Sequence, residues 1–322
     1  MHGRNAIPDD ETCHARFLHT NPPPRGEGAN ESLREFHVNV AVFILLGQQV
    51  MNNANIISGS FFRLALAVIL LAVSAGAQAD LQEGVNAFLD GDYAAALKEF
   101  DRLAASGDAF AQNNIGVMHA KGKGVPQDFK EAASWYRKAA DKDNAQAQFN
   151  LGSAYANGKG VPLDFREAAS WYRKAAEQGN AQAQNNLGAM YDNGAGAPQD
   201  YQEAAFWYRK AAGQGNAQAQ NNLGVMYDNG LGVPQDYREA VLWYRKAAEQ
   251  GDEQAQFNLG AMYDLGQGVP QDLVQAYMWY SLAGVSGNKA AASNMKMIEA
   301  KISSGQVGQA QALAQEWLMK HN

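Results

Sequence analysis

One interval constrains this chain more than any other feature. Tryptophan recurs at Trp135, Trp171, Trp207, Trp243 and Trp279, glycine at Gly116, Gly152, Gly188, Gly224 and Gly260, and proline at Pro126, Pro162, Pro198, Pro234 and Pro270, all at a spacing of 36 residues. Three residue types locked to one period mean that a single structural unit is repeated five times. A unit this short cannot cover its own apolar face, so each copy must stack on the next.

The unit from Ala181 to Asn216 parses into two helices. The first is predicted from Ala181 to Tyr191, with Ala183, Leu187, Gly188 and Tyr191 at helical spacing. Asn193-Gly194 supplies residues that tolerate the left-handed conformation ending such a helix, and Gly196-Ala197-Pro198 must be extended before the proline. Asp200 then reads as an N-cap, with Glu203 completing a capping box; Asp128/Glu131, Asp164/Glu167, Asp236/Glu239 and Asp272/Gln275 repeat the device. The second helix carries Ala204, Trp207, Tyr208, Ala211 and Ala212 on one stripe and stops at Gly215. Small residues at Gly188 and Ala211 let the helices approach closely. The first unit departs from the pattern: it ends Asp141-Lys142-Asp143-Asn144 and lacks the terminating glycine.

Composition narrows the function classes. The chain has a formal net charge of -7, from 26 basic and 33 acidic residues, and no basic block beyond the recurring Arg-Lys pairs, which argues against a phosphate-tracking surface and against nucleic acid as partner. Cys13 is the only cysteine, so neither an intramolecular disulfide nor a cysteine zinc site can be assembled from one chain. No cofactor or metal site is expected.

Residues Phe61 to Asp80 follow the order of a secretory leader: Arg63, an apolar run from Leu64 to Val73 too short to span a bilayer, then Ala77-Gln78-Ala79. Counted from Met51 the leader has ordinary length, with cleavage expected after Ala79, and residues 1–50 then read as an upstream misassigned start. Two alternatives stay open: an uncleaved anchor, and a start at Met1, which would bring in a second apolar patch from Val38 to Gly47. The expectation is an exported chain, periplasmic or secreted, monomeric and without stable membrane insertion once the leader is removed.

The pattern A-x-A-Q-x-x-L-G-x-x-Y-x-x-G-x-G-V-P-x-D-x-x-E-A-x-x-W-Y-x-x-A-A-x-x-G resembles the Sel1-like repeat family, relatives of the tetratricopeptide repeat. The resemblance implies an all-α, right-handed α-solenoid of stacked helix-turn-helix repeats. It organises the chain as a leader at 51–79, a degenerate capping repeat at 80–108, repeats at 109–144, 145–180, 181–216, 217–252 and 253–288, and capping helices at 289–322. It also implies a scaffold that binds a protein or peptide, with a secreted virulence factor engaging a host protein as the alternative. A β-lactam-directed enzyme is the remote reading, because family members described that way carry paired cysteines in each repeat and this chain has none there.

No catalytic constellation is visible. His119 has no second histidine or cysteine near it in the repeats, and the repeated Asp/Glu pairs are explained by capping. Asp192, Asp228 and Asp264, and likewise Arg137, Arg173, Arg209 and Arg245, form charged rows whose default reading is a solvated face. The residues that ask for a reason are mid-helix amides: Gln112, Gln148, Gln184, Gln220 and Gln256, and Asn114, Asn150, Asn186, Asn222 and Asn258. Either they bond a neighbouring connector, or the first helices line a concave groove and the amides bind an extended peptide backbone. The candidate groove is Asn114, Phe149, Asn150, Asn185, Asn186, Asn221, Asn222, Phe257 and Asn258.

Overall fold

The computed structural model describes residues 80–285 and 287–321. The leader, the upstream segment and Cys13 lie outside them. The chain divides into two units, Met1–Glu99 and Phe100–Asn322. In the first, residues 80–89 are helical, Phe88 meets Tyr93 edge to face at 5.3 Å, and Asp92 caps the next helix by accepting from the Ala95 amide.

That next helix, α1 (Tyr93–Ala105), runs into the second unit. There follow five helix pairs: α2 (Ala109–Lys121) with α3 (Phe129–Ala140), α4 (Ala145–Asn157) with α5 (Phe165–Glu177), α6 (Ala181–Asn193) with α7 (Tyr201–Gly213), α8 (Ala217–Asn229) with α9 (Tyr237–Glu249), and α10 (Glu253–Leu265) with α11 (Leu273–Val285). Then come α12 (Lys289–Glu299) and α13 (Ser304–His321). No strand occurs among the described residues. From α2 to α12 each helix packs on the next in sequence, and α13 packs back on α11: an all-α solenoid of repeated pairs.

Each boundary has a chemical cause. The first helix of a pair is capped by Asn144, Asn180, Asn216 or Asp252, whose side chain accepts from the backbone N–H three residues on at 2.8 Å. It ends on a left-handed glycine, as at Gly194 (φ 68°), where the Ala195 N–H returns to the Met190 carbonyl at 2.9 Å. The helix runs two residues past the Tyr191 end expected from its apolar spacing, because Asp192 and Asn193 continue it up to that glycine. Asp200 caps α7 by accepting from the Gln202 and Glu203 amides. The return half of the capping box is not made as expected: the Asp200 N–H donates to the Tyr191 carbonyl at 3.0 Å, and Asp128, Asp164, Asp236 and Asp272 do the same to the carbonyl nine residues back. That bond closes the connector into a fixed turn between the two helices.

Packing follows the periodic residues. Ala204, Trp207, Tyr208, Ala211 and Ala212 are all buried, as are Ala183, Leu187, Gly188 and Tyr191. Each mid-helix glycine has a Tyr ring laid over it. A Cβ at Gly116, Gly152, Gly188, Gly224 or Gly260 would come within 2.6–2.8 Å of Tyr136, Tyr172, Tyr208, Tyr244 or Tyr280. Trp171, Trp207 and Trp279 are buried, while Trp135 and Trp243 are half-buried.

Candidate functional site

The glutamines at the first helices' fourth positions are structural. Gln112, Gln148, Gln184, Gln220 and Gln256 are buried, and each donates through Nε2 to the carbonyl eight residues back, on Ala104, Ala140, Ala176, Ala212 or Ala248, at 2.9–3.4 Å. The acceptor belongs to the last turn of the preceding helix, not to a Gly-Val-Pro connector. In three repeats the same glutamine accepts from the residue capping its own second helix: Gln178 to Gln148, Gln214 to Gln184 and Gln250 to Gln220, at 2.7–2.8 Å. One side chain thereby ties three successive helices.

The asparagines form a second ladder. Asn150 donates to Asn113 at 2.9 Å, Asn222 to Asn185 at 3.1 Å, and Asn258 to Asn221 at 2.9 Å, each bond joining first helices of neighbouring repeats. Asn185 also donates to Gln218 at 3.0 Å, and Gln146 and Gln254 donate to Asn150 and Asn258. The ladder changes partner between α4 and α6. There Phe149 takes the acceptor position and turns onto Tyr172, ring centroids 5.8 Å apart, while Asn186 accepts from Asn185 at 3.4 Å. Phe257 packs similarly on Tyr280 at 5.4 Å.

Of the nine candidate groove residues, Phe149, Asn150, Asn185 and Asn221 are buried, whereas Asn114, Asn186, Asn222, Phe257 and Asn258 keep part of their surface. Gln146, Gln182, Gln218 and Gln254 were not singled out from sequence, yet they lie one turn before Asn150, Asn186, Asn222 and Asn258 on the same helix face. Their recurrence at the same period was the available signal. Mid-helix amides are mutually oriented by their neighbours, and an asparagine with one donor and one acceptor engaged keeps a second N–H and a further lone pair.

The charged rows carry their own partners. Arg137, Arg173, Arg209 and Arg245 each donate to the tyrosine hydroxyl of the next repeat, Tyr155, Tyr191, Tyr227 and Tyr263, the last two at 3.0 and 2.7 Å. Lys138, Lys174 and Lys246 lie over Trp135, Trp171 and Trp243 at 3.7–4.0 Å from the ring centroid. On the other row, the Tyr208 and Tyr244 hydroxyls donate to Asp192 and Asp228 at 3.4 and 3.3 Å. Burial pushes both carboxyls up, and burial together with the facing carboxylate pushes both phenols far above their ordinary range. Such phenols are hydrogen-bond donors, not bases. No group of three metal-ligating side chains is gathered among the described residues.

This geometry has counterparts. The Sel1 repeat model matches residues 109–144, 145–180, 181–216, 217–252 and 253–287. Among solved structures, the chain is similar to a protective antigen present in uropathogenic Escherichia coli strains displaying an SLR fold, at 38% identity and TM-score 0.67, over 79% of this chain and 55% of that one. It is also similar to a Sel1 repeat protein from Oxalobacter formigenes, at 34% identity and TM-score 0.65, over 76% of this chain and 96% of that one. The chain thus spans little more than half the length of the antigen. No curated protein matches it. With five matched repeats covering more than half of its length, each with the same glycine-tyrosine contact and left-handed glycine cap, the chain belongs to the Sel1 repeat family.

Proposed function

We propose that this chain is an exported scaffold that holds an extended segment of a partner protein across the first helices of its repeats. As a family, Sel1 repeats are protein-interaction scaffolds. The observation that carries the reading here is the amide ladder: Asn186, Asn222 and Asn258 recur at one register, partly exposed and oriented by neighbouring amides. Neighbouring first helices, close enough to exchange Asn-Asn hydrogen bonds, lie about 10 Å apart, and an extended peptide advances about 10 Å in three residues. One amide per repeat therefore meets every third residue of a bound strand. Main-chain pairing of this kind gives affinity without demanding a sequence, and the side chains around it supply selectivity.

Export rests on the leader pattern at residues 51–79. Among the described residues no helix is long and apolar enough to cross a membrane. A second destination, outside the cell and against a host protein, is favoured by the likeness to a protective antigen of uropathogenic E. coli. Fractionation separates the two: release by osmotic shock supports the periplasmic form, and recovery from washed medium or protease sensitivity on intact cells supports the outward one.

The binding reading is tested by crosslinking capture from envelope extract with three full-length proteins. These are the unmodified chain, an Asn186→Ala/Asn222→Ala/Asn258→Ala variant, and a Gln182→Glu/Gln254→Glu variant that alters the accessible rim and keeps the three asparagines, at the loss of the Gln254 bond to Asn258. One partner captured by the first and lost by both variants, with helical melts retained, supports the scaffold. Equal capture by all three refutes the helix-face site.

A further inference from the structure

The outer face of the second helices is polar in some repeats and apolar in others. Phe206 on α7 and Leu242 on α9 occupy equivalent positions and are 45% and 49% exposed. The same position holds exposed Ser134 on α3 and Ser170 on α5. In α11 it is Met278, only 7% exposed, and one turn later Leu282, 2% exposed, stands where earlier repeats have lysine. Met278 and Leu282 share one buried cluster with Ala310 and Ala314 of α13, which packs on α11. At its last repeat, then, this face is occupied by a helix of the chain itself. In the two repeats just before it, the same register presents a large apolar side chain to solvent.

Charge surrounds those two side chains. Arg209 and Lys210 follow Phe206 by three and four residues, and Arg245 and Lys246 follow Leu242 likewise, so each quartet shares one helix face. Arg209 and Arg245 are held by Tyr227 and Tyr263, and Lys210 lies 4.6 Å from the Phe206 ring centroid. None of the four cations is ion-paired among the described residues. Glu203 and Glu239 lie one turn the other way and Glu249 ends α9, so the positive field is confined to the turns that carry Arg209-Lys210 and Arg245-Lys246.

We infer that the outer face of α7 and α9 is a second docking site, and that its occupant is an amphipathic helix of a partner protein with an apolar stripe and acidic flanks. The precedent is the chain's own α13 on α11, where methionine and leucine replace the exposed Phe/Lys and Leu/Lys pairs. The apolar content comes from Phe206 and Leu242, which hold the same register on second helices one repeat apart. An amphipathic guest helix presents an apolar side chain at every turn along one face, so a single stripe laid across α7 and α9 reaches both. Carboxylates beside that stripe would meet Arg209, Lys210, Arg245 and Lys246, which selects an acidic guest and repels a basic one. This site shares no residue with the amide ladder, and neither reading depends on the other.

The test is fluorescence anisotropy on the full chain with labelled peptides of about 18 residues, matched in length to α13. One carries a Leu stripe with Glu flanks, the other the same stripe with Lys flanks, and phosphatidylglycerol vesicles form a third arm. The acidic peptide is expected to bind, and to bind about tenfold more weakly or worse to a Phe206→Ser/Leu242→Ser variant and to a Lys210→Glu/Lys246→Glu variant. The second variant is expected to gain the Lys-flanked peptide. Serine is native to this position in two repeats, so the first variant should fold, and a thermal melt checks it. Three outcomes overturn the proposal: equal binding of both peptides, unchanged binding to the serine variant, or capture of vesicles in place of the acidic helix.

Discussion

Lys142 and Asp143 stand where later repeats have glutamine and glycine, and both substitutions leave a mark. Asp143 takes φ 60°, the one non-glycine with positive φ among the described residues, at the position where Gly179, Gly215 and Gly251 sit with φ near 90°. Lys142 donates to the Gly107 carbonyl, so the buried Gln112 Oε1 lacks the capping-residue amide that Gln148, Gln184 and Gln220 receive, and is left without a donor. A Lys142→Gln/Asp143→Gly variant supplies that donor and removes the strain. It is expected to stabilise the chain by about 1–3 kcal/mol in chemical denaturation, and an unchanged midpoint would show that the first repeat has adapted. The Asp192 and Asp228 carboxyls make a pH-dependent case. Burial raises both in the folded state, so the fold holds their protons more tightly than the unfolded chain, and stability falls as pH rises from the ordinary carboxylate value through the raised one. Asp192→Asn/Asp228→Asn removes the half-buried charge while keeping an acceptor for Tyr208 and Tyr244. The variant should melt higher than the parent at pH 7, and the difference should vanish near pH 3, below the ordinary value of about 3.9. A constant offset across that range would mean that the effect is packing, not titration.

Helix ends and the close approach at the mid-helix glycines are legible in the sequence, because caps, left-handed glycines and apolar spacing act within one repeat. Contacts between repeats are not. A period says which residues recur, but not which neighbour each one faces. The asparagine ladder shows why: it joins residues 37 apart, one off the repeat length, so its two partners occupy different positions of the unit and only stacking brings them together. The connector glycines hide a second such contact. Gly196 looks like a turn residue, and its φ of 76° fits that, but a Cβ there would also lie 2.0 Å from the Phe165 carbonyl oxygen at the start of the previous repeat's second helix. Gly160, Gly232 and Gly268 meet Phe129, Tyr201 and Tyr237 in the same way. These glycines are where one repeat's connector rests on its neighbour's backbone. Gly196→Ala should therefore cost more than the roughly 1 kcal/mol of a lone left-handed position, whereas Gly215→Ala, with open space around it, should cost about that much. Urea melts of the two variants compare the terms directly, and equal losses would remove the inter-repeat contact from the account.

For the molecule as a whole, stability in a stacked array is close to a sum of repeat and interface terms, so the ends decide whether the sum is usable. The α11 sequence is already adapted to being covered: Met278 and Leu282 are buried where α9 has Leu242 and Lys246 in solvent. Sequence periodicity marked residues 289–322 as helical but did not say where they rest, since α13 does not continue the spacing of the repeats. It returns to α11, with Trp317 set edge-on to Trp279 at 6.5 Å. Deleting residues 289–322 should expose Met278 and Leu282. At about 1.5–3 kcal/mol for each uncovered side chain, the last repeat should lose about 3–6 kcal/mol while the repeats before it keep their helicity. Hydrogen exchange resolves this, with protection lost in α10 and α11 and retained in α4 to α8. A truncated chain that also carries Met278→Ser and Leu282→Lys, the residues found at those positions in α3 and α5, should recover solubility but not the lost protection. If the simple truncation instead leaves α11 as protected as before, the terminal helices are not a cap, and the covered face of α11 loses its value as a precedent for the face around Phe206 and Leu242.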